Sequence, residues 1–166
     1  VCSVNHSKTF DNGIVCASEQ SVTALADIYD EVKAEFVKSG WHVLSPEELD
    51  KMRKILLTEA GTVNAKIVGQ KAATIAELAG FQVPPETKIL IGEVTSVDIS
   101  EPLAHEKLSP VLALYKAPDF ETALDMSEQL IADGGYGHTS SLHIHPSHTG
   151  KLPLHELRTQ HCRLLV

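Results

Sequence analysis

Apolar residues recur along this chain with two spacings, one typical of helices and one typical of strands. Over Glu19–Lys38, apolar residues such as Val22, Leu25 and Tyr29 fall on one face of a helix, which Gly40 would end. Similar patterns predict four further helices. One begins at Pro46, and the others cover Thr74–Ala79, Pro118–Ala132 and Leu152–Thr159.

The helix at Pro46 has clear start signals. Ser45 can cap its first N–H groups, and Pro46 is favoured in the first turn. Glu47 and Glu48 place negative charge near the positive end of the helix dipole. These residues predict a helix that starts sharply.

Short apolar runs predict the strands. They cover Lys88–Val97, Val111–Lys116, Thr139–His145 and Cys162–Val166, with Val1–Val4 as the stub of another. Because strands and helices alternate, we expect an α/β fold with an open, mainly parallel twisted sheet flanked by helices. Residues 1–166 would form a single domain.

Charge and composition narrow the choice of partners. The formal net charge of -8 argues against a nucleic acid or an anionic membrane as partner. No apolar run approaches the length of a membrane-spanning helix. The three cysteines, an odd number at wide spacing, do not suggest a disulfide framework. A reducing compartment such as the cytoplasm is therefore expected.

The two ends of the chain suggest a longer polypeptide. The sequence starts at Val1 rather than at Met and ends on the apolar residues Leu164–Val166. Both ends are expected to be cuts, so part of an active site would lie outside this chain.

Cys16 is the first candidate for chemistry. A loop that contains Gly13 leads to it, and the predicted helix follows, with Ser18 as N-cap. A helix N-terminus favours a thiolate, which is the nucleophilic form, and its N–H groups could hold an oxyanion. Cys16 could equally be a small buried apolar residue. Cys2 and Cys162 have no such setting and are expected in the core.

Four segments, in order, resemble the CoA-acylating aldehyde dehydrogenases. They are Ser7–Val22 around Cys16, Ile89–Val94, Ala104–Leu112 and Gly134–Ser140. The resemblance is strongest to the aldehyde dehydrogenase half of the bifunctional aldehyde–alcohol dehydrogenases, and it implies a fragment of their catalytic domain.

The resemblance implies a reaction for Cys16. The thiolate would attack an aldehyde to give a thiohemiacetal, hydride would leave to NAD, and the resulting thioester would pass its acyl group to coenzyme A. The Rossmann-like domain that binds most of the NAD in this family would be absent from the chain. An iron-dependent alcohol dehydrogenase half could follow in the full-length protein, which is expected to be a homo-oligomer.

Two further residues take roles by resemblance. Glu106 stands in Glu106-Lys107-Leu108-Ser109-Pro110, where the family acid contacts the ribose of the nicotinamide half of the cofactor. A carboxylate suits this role because it accepts hydrogen bonds from two hydroxyls. This chain has Ser109 where many relatives have Gly, which could alter the turn. His138 follows Gly137, at the entry to a strand, in a segment that resembles one near the nucleophile of the family; it could act as acid or base, or simply hydrogen-bond to the loop backbone.

Two weaker candidates support the site. The amide of Asn12 could order the loop before Cys16. Glu93 follows a buried strand and is either a strand-end acid in contact with a loop or a surface residue.

Two other functions remain open. A hydrolytic aldehyde dehydrogenase would use water instead of coenzyme A as the acyl acceptor. A non-catalytic interaction or metal-binding module would use the His-rich stretch with His143, His145 and His148. Because no Cys or acidic ligand lies nearby, a polar loop is favoured there and no metal is predicted.

Overall fold

The computed structural model describes residues 1–135, 138–143 and 161–165, and it shows an α/β fold. A four-stranded sheet carries helices on both faces, and two later strands form a second, separate sheet. The helices are α1 (Cys2–Thr9), α2 (Tyr29–Lys38), α3 (Pro46–Leu56), α4 (Ala72–Ala79) and α5 (Phe120–Gly134). The strands are β1 (Ser21–Leu25), β2 (Trp41–Val43), β3 (Ile89–Glu93), β4 (Val111–Ala117), β5 (Thr139–His143) and β6 (His161–Leu165).

The larger sheet has the order β1-β4-β3-β2, and all its neighbours pair in parallel. Ser21 in β1 is in register with Ala113 in β4, and Leu90 in β3 is in register with Val111. The smaller sheet, β5 with β6, is also parallel. The predicted open, parallel α/β architecture is confirmed.

Apolar side chains are buried on both faces of the larger sheet, because alternate residues of a strand point to opposite faces. One core contains Leu90, Val111, Ala113 and Tyr115 beneath α3 and α4. The other contains buried residues of the same strands together with residues of α1 and α2, namely Val4, Ala24, Tyr29, Phe36, Trp41, Ile89, Ile91, Leu112 and Leu114. A sheet covered on both faces explains why its central strands are almost continuously apolar.

The helix at Pro46 starts as predicted. The Ser45 hydroxyl accepts a hydrogen bond from Glu48 N at 3.3 Å, and the Glu48 carboxylate accepts one from Ser45 N at 2.8 Å. This reciprocal pair satisfies two N–H groups that a helix start leaves open. Gly80 ends α4 in the left-handed conformation, with φ 86°.

The predicted continuous helix over Glu19–Lys38 is wrong. Residues Ser21–Leu25 form β1, and only Tyr29–Lys38 is helical. Val22 and Ala24 fit an alternating strand pattern as well as a helical one, and pairing of all five β1 residues with β4 decided between them. Strand β2, at Trp41–Val43, was not predicted.

The predicted strand stub at Val1–Val4 is also wrong, because α1 covers this segment. Cys2 is consequently exposed on the helix rather than buried in a core. The strand predicted over Lys88–Val97 is shorter than expected and covers Ile89–Glu93. The strand predicted over Thr139–His145 is described only from Thr139 to His143. The predicted helix Leu152–Thr159 and the side chain of Cys162 lie outside the description. No helix among the described residues is long and apolar enough to cross a membrane.

Candidate active site

Cys16 lies on a loop that the chain reaches through a left-handed turn. Asp11, Asn12 and Gly13 all have positive φ values, of 46°, 51° and 67°. A second turn closes with a hydrogen bond from Ser18 N to Val15 O at 2.9 Å and presents Cys16 as an exposed, free thiol. Left-handed non-glycine residues are costly and recur at functional sites. The loop thus has the backbone character of a functional segment.

The expected helix after Cys16 is not there, so its N-terminus cannot act on the thiol. The segment leads instead into the amino end of β1. Ser18, predicted as the helix cap, is buried, and its hydroxyl donates to Gly13 O at 3.3 Å. The physical reason given for a thiolate at Cys16 is therefore wrong, although the exposed position suits a nucleophile.

Gly13 brings the Cys16 loop against the segment that precedes β4. A Cβ atom added to Gly13 would lie 2.8 Å from Ser109 O and 3.1 Å from Lys8 O. No side chain larger than hydrogen fits this gap without a shift of backbone. Gly13 is therefore required both by its positive φ and by this close approach.

Three hydrogen bonds join the same segments. The Asn12 amide donates to Gly69 O at 3.0 Å, and Gly69 N donates to Leu108 O at 2.9 Å. Lys107 N donates to the Gln20 side-chain oxygen at 3.0 Å. The loop around Cys16 and the segment Glu106–Ser109 are thus held together by hydrogen bonds.

Glu106 is half-buried at the edge of a pocket of about 290 Å³. The pocket is lined by residues of four separate segments, namely Gly61, Thr62, Val63, Ile99, Ala104, His105, Glu106, Asp133 and Gly134. Leu108, with φ 47°, is the residue of this turn that adopts positive φ. Ser109 does not, so a serine at that position needs no unusual backbone conformation.

His138 lies beside the same pocket. It is exposed and directly precedes β5. A Cβ atom added to Gly134, which lines the pocket, would lie 3.9 Å from His138 Nδ1. His138 thus neighbours a residue of the pocket that Glu106 lines, without lining that pocket itself.

Glu93 is not part of this arrangement. It ends β3, whereas the Cys16 loop and Glu106 precede the amino ends of β1 and β4. Its carboxylate accepts hydrogen bonds from the Tyr29 hydroxyl at 2.7 Å and from Lys33 Nζ at 3.0 Å. Burial opposes its ionisation, but these two bonds hold the pKa of Glu93 below its ordinary value. Glu93 is a strand-end acid that anchors the start of α2.

Two buried lysines behind the site were not singled out from the sequence. Lys8 in α1 is fully buried, and its Nζ has no hydrogen-bond partner among the described residues. Burial lowers the pKa of Lys8 to about 7, against the opposing charges of Glu19 and Glu106. Lys107 is 1% exposed, and burial together with the nearby charge of Lys8 lowers its pKa. No local pattern reveals such residues, because a lysine is exposed by default.

Among the described residues, no group of His, Cys, Asp and Glu side chains could hold a metal ion. His143 lies at the end of β5. His145 and His148 lie outside the description.

No protein-family model matches the chain. The sequence is 57% identical over 143 residues to the bifunctional aldehyde–alcohol dehydrogenase AdhE of Escherichia coli, which covers 86% of this chain and 16% of that protein. The structure matches a crystal structure of an acetylating aldehyde dehydrogenase from Geobacillus thermoglucosidasius with a TM-score of 0.91 and 35% identity. That match covers 97% of this chain and 35% of the other.

Two other solved structures contain ligands. An engineered glycolyl-CoA reductase with bound NADP⁺ matches at TM-score 0.82 and 25% identity, over 98% of this chain and 36% of that one. A propionaldehyde dehydrogenase from Rhodopseudomonas palustris, with bound CoA and an acylated cysteine, matches at TM-score 0.75 and 25% identity. That match covers 86% of this chain and 32% of the other.

The parallel fold and these relatives define the class of protein: the chain belongs to the acylating aldehyde dehydrogenases, as a segment of their catalytic domain. Within that family it is similar to the aldehyde dehydrogenase portion of the bifunctional aldehyde–alcohol dehydrogenases, since most of the chain matches both a bifunctional enzyme and an acetylating aldehyde dehydrogenase. The chain spans 16% of the length of the bifunctional relative.

Proposed function

We propose that this chain is the nucleophile-bearing part of an NAD-dependent, CoA-acylating aldehyde dehydrogenase, with Cys16 as the nucleophile. One observation carries the proposal: an exposed thiol lies on a left-handed loop that packs against the segment of Glu106. The relative with an acylated cysteine and bound CoA supports it.

Cys16 suits both halves of the proposed reaction. Its sulfur attacks the aldehyde carbon, and the resulting oxyanion takes a proton to give a thiohemiacetal. Loss of the hydroxyl proton, together with transfer of a hydride from that carbon to a nicotinamide acceptor that a bound NAD would supply, leaves a thioester on Cys16. The CoA thiolate then attacks the thioester carbonyl, the C–S bond to Cys16 breaks, and acyl-CoA leaves. A thiolate is both a good nucleophile and a good leaving group, so one residue serves each step.

The pocket beside Glu106 fits part of a nicotinamide cofactor. Its volume of about 290 Å³ is too small for a whole dinucleotide, but the carboxylates of Glu106 and Asp133 in its lining can accept hydrogen bonds from the two hydroxyls of a ribose. Glu106 would hold that ribose, and a bound NAD supplies a hydride acceptor. The rest of the cofactor would be bound by a Rossmann-like domain elsewhere in a longer polypeptide.

His138 is proposed as the acid or base of the site. It lies next to Gly134 at the pocket and is exposed, so it can exchange protons with water. Asn12 holds the loop through Gly69 and is proposed as a supporting residue.

The proposal extends to the surroundings of the protein. Small aldehydes and coenzyme A would be the substrates, and the remainder of its own polypeptide would be the main partner. An alcohol dehydrogenase portion and homo-oligomerisation are part of the proposal. An exposed catalytic thiol suits a reducing compartment, so we propose a cytoplasmic location.

The decisive experiment is a product assay with the longer polypeptide that contains this chain. Acetaldehyde, NAD and coenzyme A should give acetyl-CoA and NADH in equal amounts. Without coenzyme A, NADH formation should stop after about one turnover per site, because the thioester accumulates. Continued turnover to acetate without coenzyme A would instead identify a hydrolytic aldehyde dehydrogenase.

A further inference from the structure

Lys107 is buried directly next to Glu106 and holds the backbone around it. Its Nζ donates hydrogen bonds to Leu103 O and to His105 O, each at 2.6 Å. We propose that Lys107 is a positioning residue, which fixes the turn that carries Glu106 and thereby orients the Glu106 carboxylate toward the cofactor. This inference rests on the cofactor role proposed for Glu106.

The segment before Glu106 is firmly anchored. Leu103 is fully buried over Gly92 of β3, and a Cβ atom on Gly92 would lie 2.2 Å from Leu103 Cδ2. Glu101 accepts a hydrogen bond from Leu103 N at 3.2 Å and pairs with Arg53 through two nitrogens, at 3.1 and 2.8 Å. Leu103 is thus a fixed point from which Lys107 can hold the following residues.

The residues after this anchor have no helix or strand of their own. The turn from His105 to Ser109 is irregular, and Leu108 has a φ of 47°. Lys107 binds one carbonyl in the anchored part and one in the residue just before Glu106. The backbone that leads into Glu106 is therefore held by the side chain of the residue that follows Glu106.

Lys107 also relates this turn to the nucleophile. Its backbone N–H donates to the Gln20 side chain at 3.0 Å, and the Gln20 amide donates to Ser18 O at 3.3 Å. Ser18 closes the turn that presents Cys16. The same residue thus fixes Glu106 within its own turn and joins that turn to the Cys16 loop.

Lys107 can donate to the two carbonyls whether it is charged or neutral. Burial and the charge of Lys8 lower the pKa of Lys107, while Glu101 and Glu106 oppose this effect. A neutral amine still carries two N–H donors, enough for the two carbonyls. Loss of the side-chain nitrogen, rather than loss of its charge, should therefore release the turn.

The test compares Lys107→Met with Lys88→Met in the longer polypeptide. Lys88 is an exposed lysine just before β3, so it controls for the replacement of a lysine near a strand of the same sheet. Lys107→Met should raise the KM for NAD roughly tenfold, because the carbonyls of Leu103 and His105 lose their donor and the turn relaxes. The far-UV circular dichroism spectrum should stay unchanged, which a general loss of structure would not allow.

A double variant separates positioning from a purely structural role. If Lys107 acts through Glu106, Lys107→Met combined with Glu106→Gln should raise the KM for NAD no more than Glu106→Gln alone. Additive effects would overturn the inference. Lys107→Leu, which also removes the side-chain donors, takes the same tests if Lys107→Met fails to fold.

The outcomes distinguish the two proposals. If Glu106→Gln raises the KM for NAD and neither Lys107 variant does, only the inference about Lys107 is overturned. If Glu106→Gln has no effect on NAD kinetics, the cofactor role of Glu106 fails and the inference fails with it. The requirement for coenzyme A is measured separately and depends on neither residue.

Discussion

Cys16 and Cys2 are both exposed thiols, so exposure alone does not distinguish them. Their surroundings do. Cys16 follows the left-handed residues 11–13 and lies on the loop packed against Ser109, whereas Cys2 lies in α1 with its sulfur 3.7 Å from His6 Nδ1. The constrained backbone around Cys16, rather than its exposure to solvent, therefore marks it as the candidate nucleophile.

We predict that Cys16→Ser in the longer polypeptide abolishes aldehyde oxidation, because the covalent step is lost. NAD binding, measured by fluorescence titration, should be nearly unchanged. Cys2→Ser is the matched control and should keep full activity. Residual activity of Cys16→Ser within about tenfold of wild type would exclude Cys16 as the nucleophile.

Lys8 gives a prediction about pH. Its pKa is lowered to about 7 in the folded chain from 10.5, so between these values the unfolded state binds more protons. The free energy of unfolding therefore rises with pH between about 7 and 10.5, and the full cost of burying the Lys8 charge is present below about 7. Lys107, Glu19 and Glu106 interact with Lys8 and can also titrate. The contribution of Lys8 is therefore obtained from the difference in free energy of unfolding between a Lys8 variant and wild type.

We expect the free energy of unfolding of Lys8→Met, minus that of wild type, to be largest near neutral pH and below. The difference should shrink as the pH rises toward 10, because neutral Lys8 no longer carries a buried charge. Denaturant titration of the chain across this range measures it. Lys66→Met, at an exposed lysine, serves as control, and a pH-independent difference for Lys8→Met would refute the prediction.

At the scale of elements, the position of the nucleophile loop depends on a glycine. Gly13 has a φ of 67°, and a Cβ atom there would lie 2.8 Å from Ser109 O. Gly61 has a similar φ of 77°, but a Cβ atom there would have no neighbour within 4 Å. Substitution of Gly61 therefore tests the cost of backbone strain alone, whereas substitution of Gly13 tests backbone strain and close packing together.

Gly61→Ala should destabilise the chain by about 1–2 kcal/mol, since it incurs only the cost of a left-handed residue. Gly13→Ala should cost about 1–3 kcal/mol more, because the methyl group must displace backbone. Gly13→Ala should also lower activity in the longer polypeptide, as the Cys16 loop moves away from the Glu106 segment. Equal destabilisation of the two variants would show that the loops can separate without cost.

At the scale of the whole molecule, the chain contains the apolar residues that folding requires but only part of the cofactor site that catalysis requires. Apolar residues are buried on both faces of the four-stranded sheet, which supplies a core within the chain. The pocket at Glu106 accommodates only part of a dinucleotide. Folding and catalysis should therefore be separable.

We predict that the isolated chain unfolds cooperatively on heating but forms no NADH from acetaldehyde, NAD and coenzyme A. Hydride transfer needs the nicotinamide held close to the thiohemiacetal, and Glu106 alone cannot position it. Calorimetry and absorbance at 340 nm measure the two properties. Turnover above that of a Cys16→Ala control would show that the chain holds a complete cofactor site.

Local patterns in the sequence predicted much of the fold. The start of α3 was predicted because Ser45, Pro46 and Glu48 act on adjacent residues, and the buried strands were predicted because both of their faces are apolar. The resemblance of four motifs was confirmed by the relatives, and it supplied the candidate roles of Cys16, Glu106 and His138.

Only the tertiary structure decided what depends on distant residues. Ser21–Leu25 is a strand because β4 lies beside it, although its local pattern also fits a helix, and this removes the helix expected after Cys16. Lys8 and Lys107 are buried by segments far apart in the chain, and Glu93 binds α2 rather than the loop of Cys16. Local sequence determines which conformations a segment can adopt cheaply, whereas burial, pairing and charge environment are set by neighbours that only the folded chain brings together.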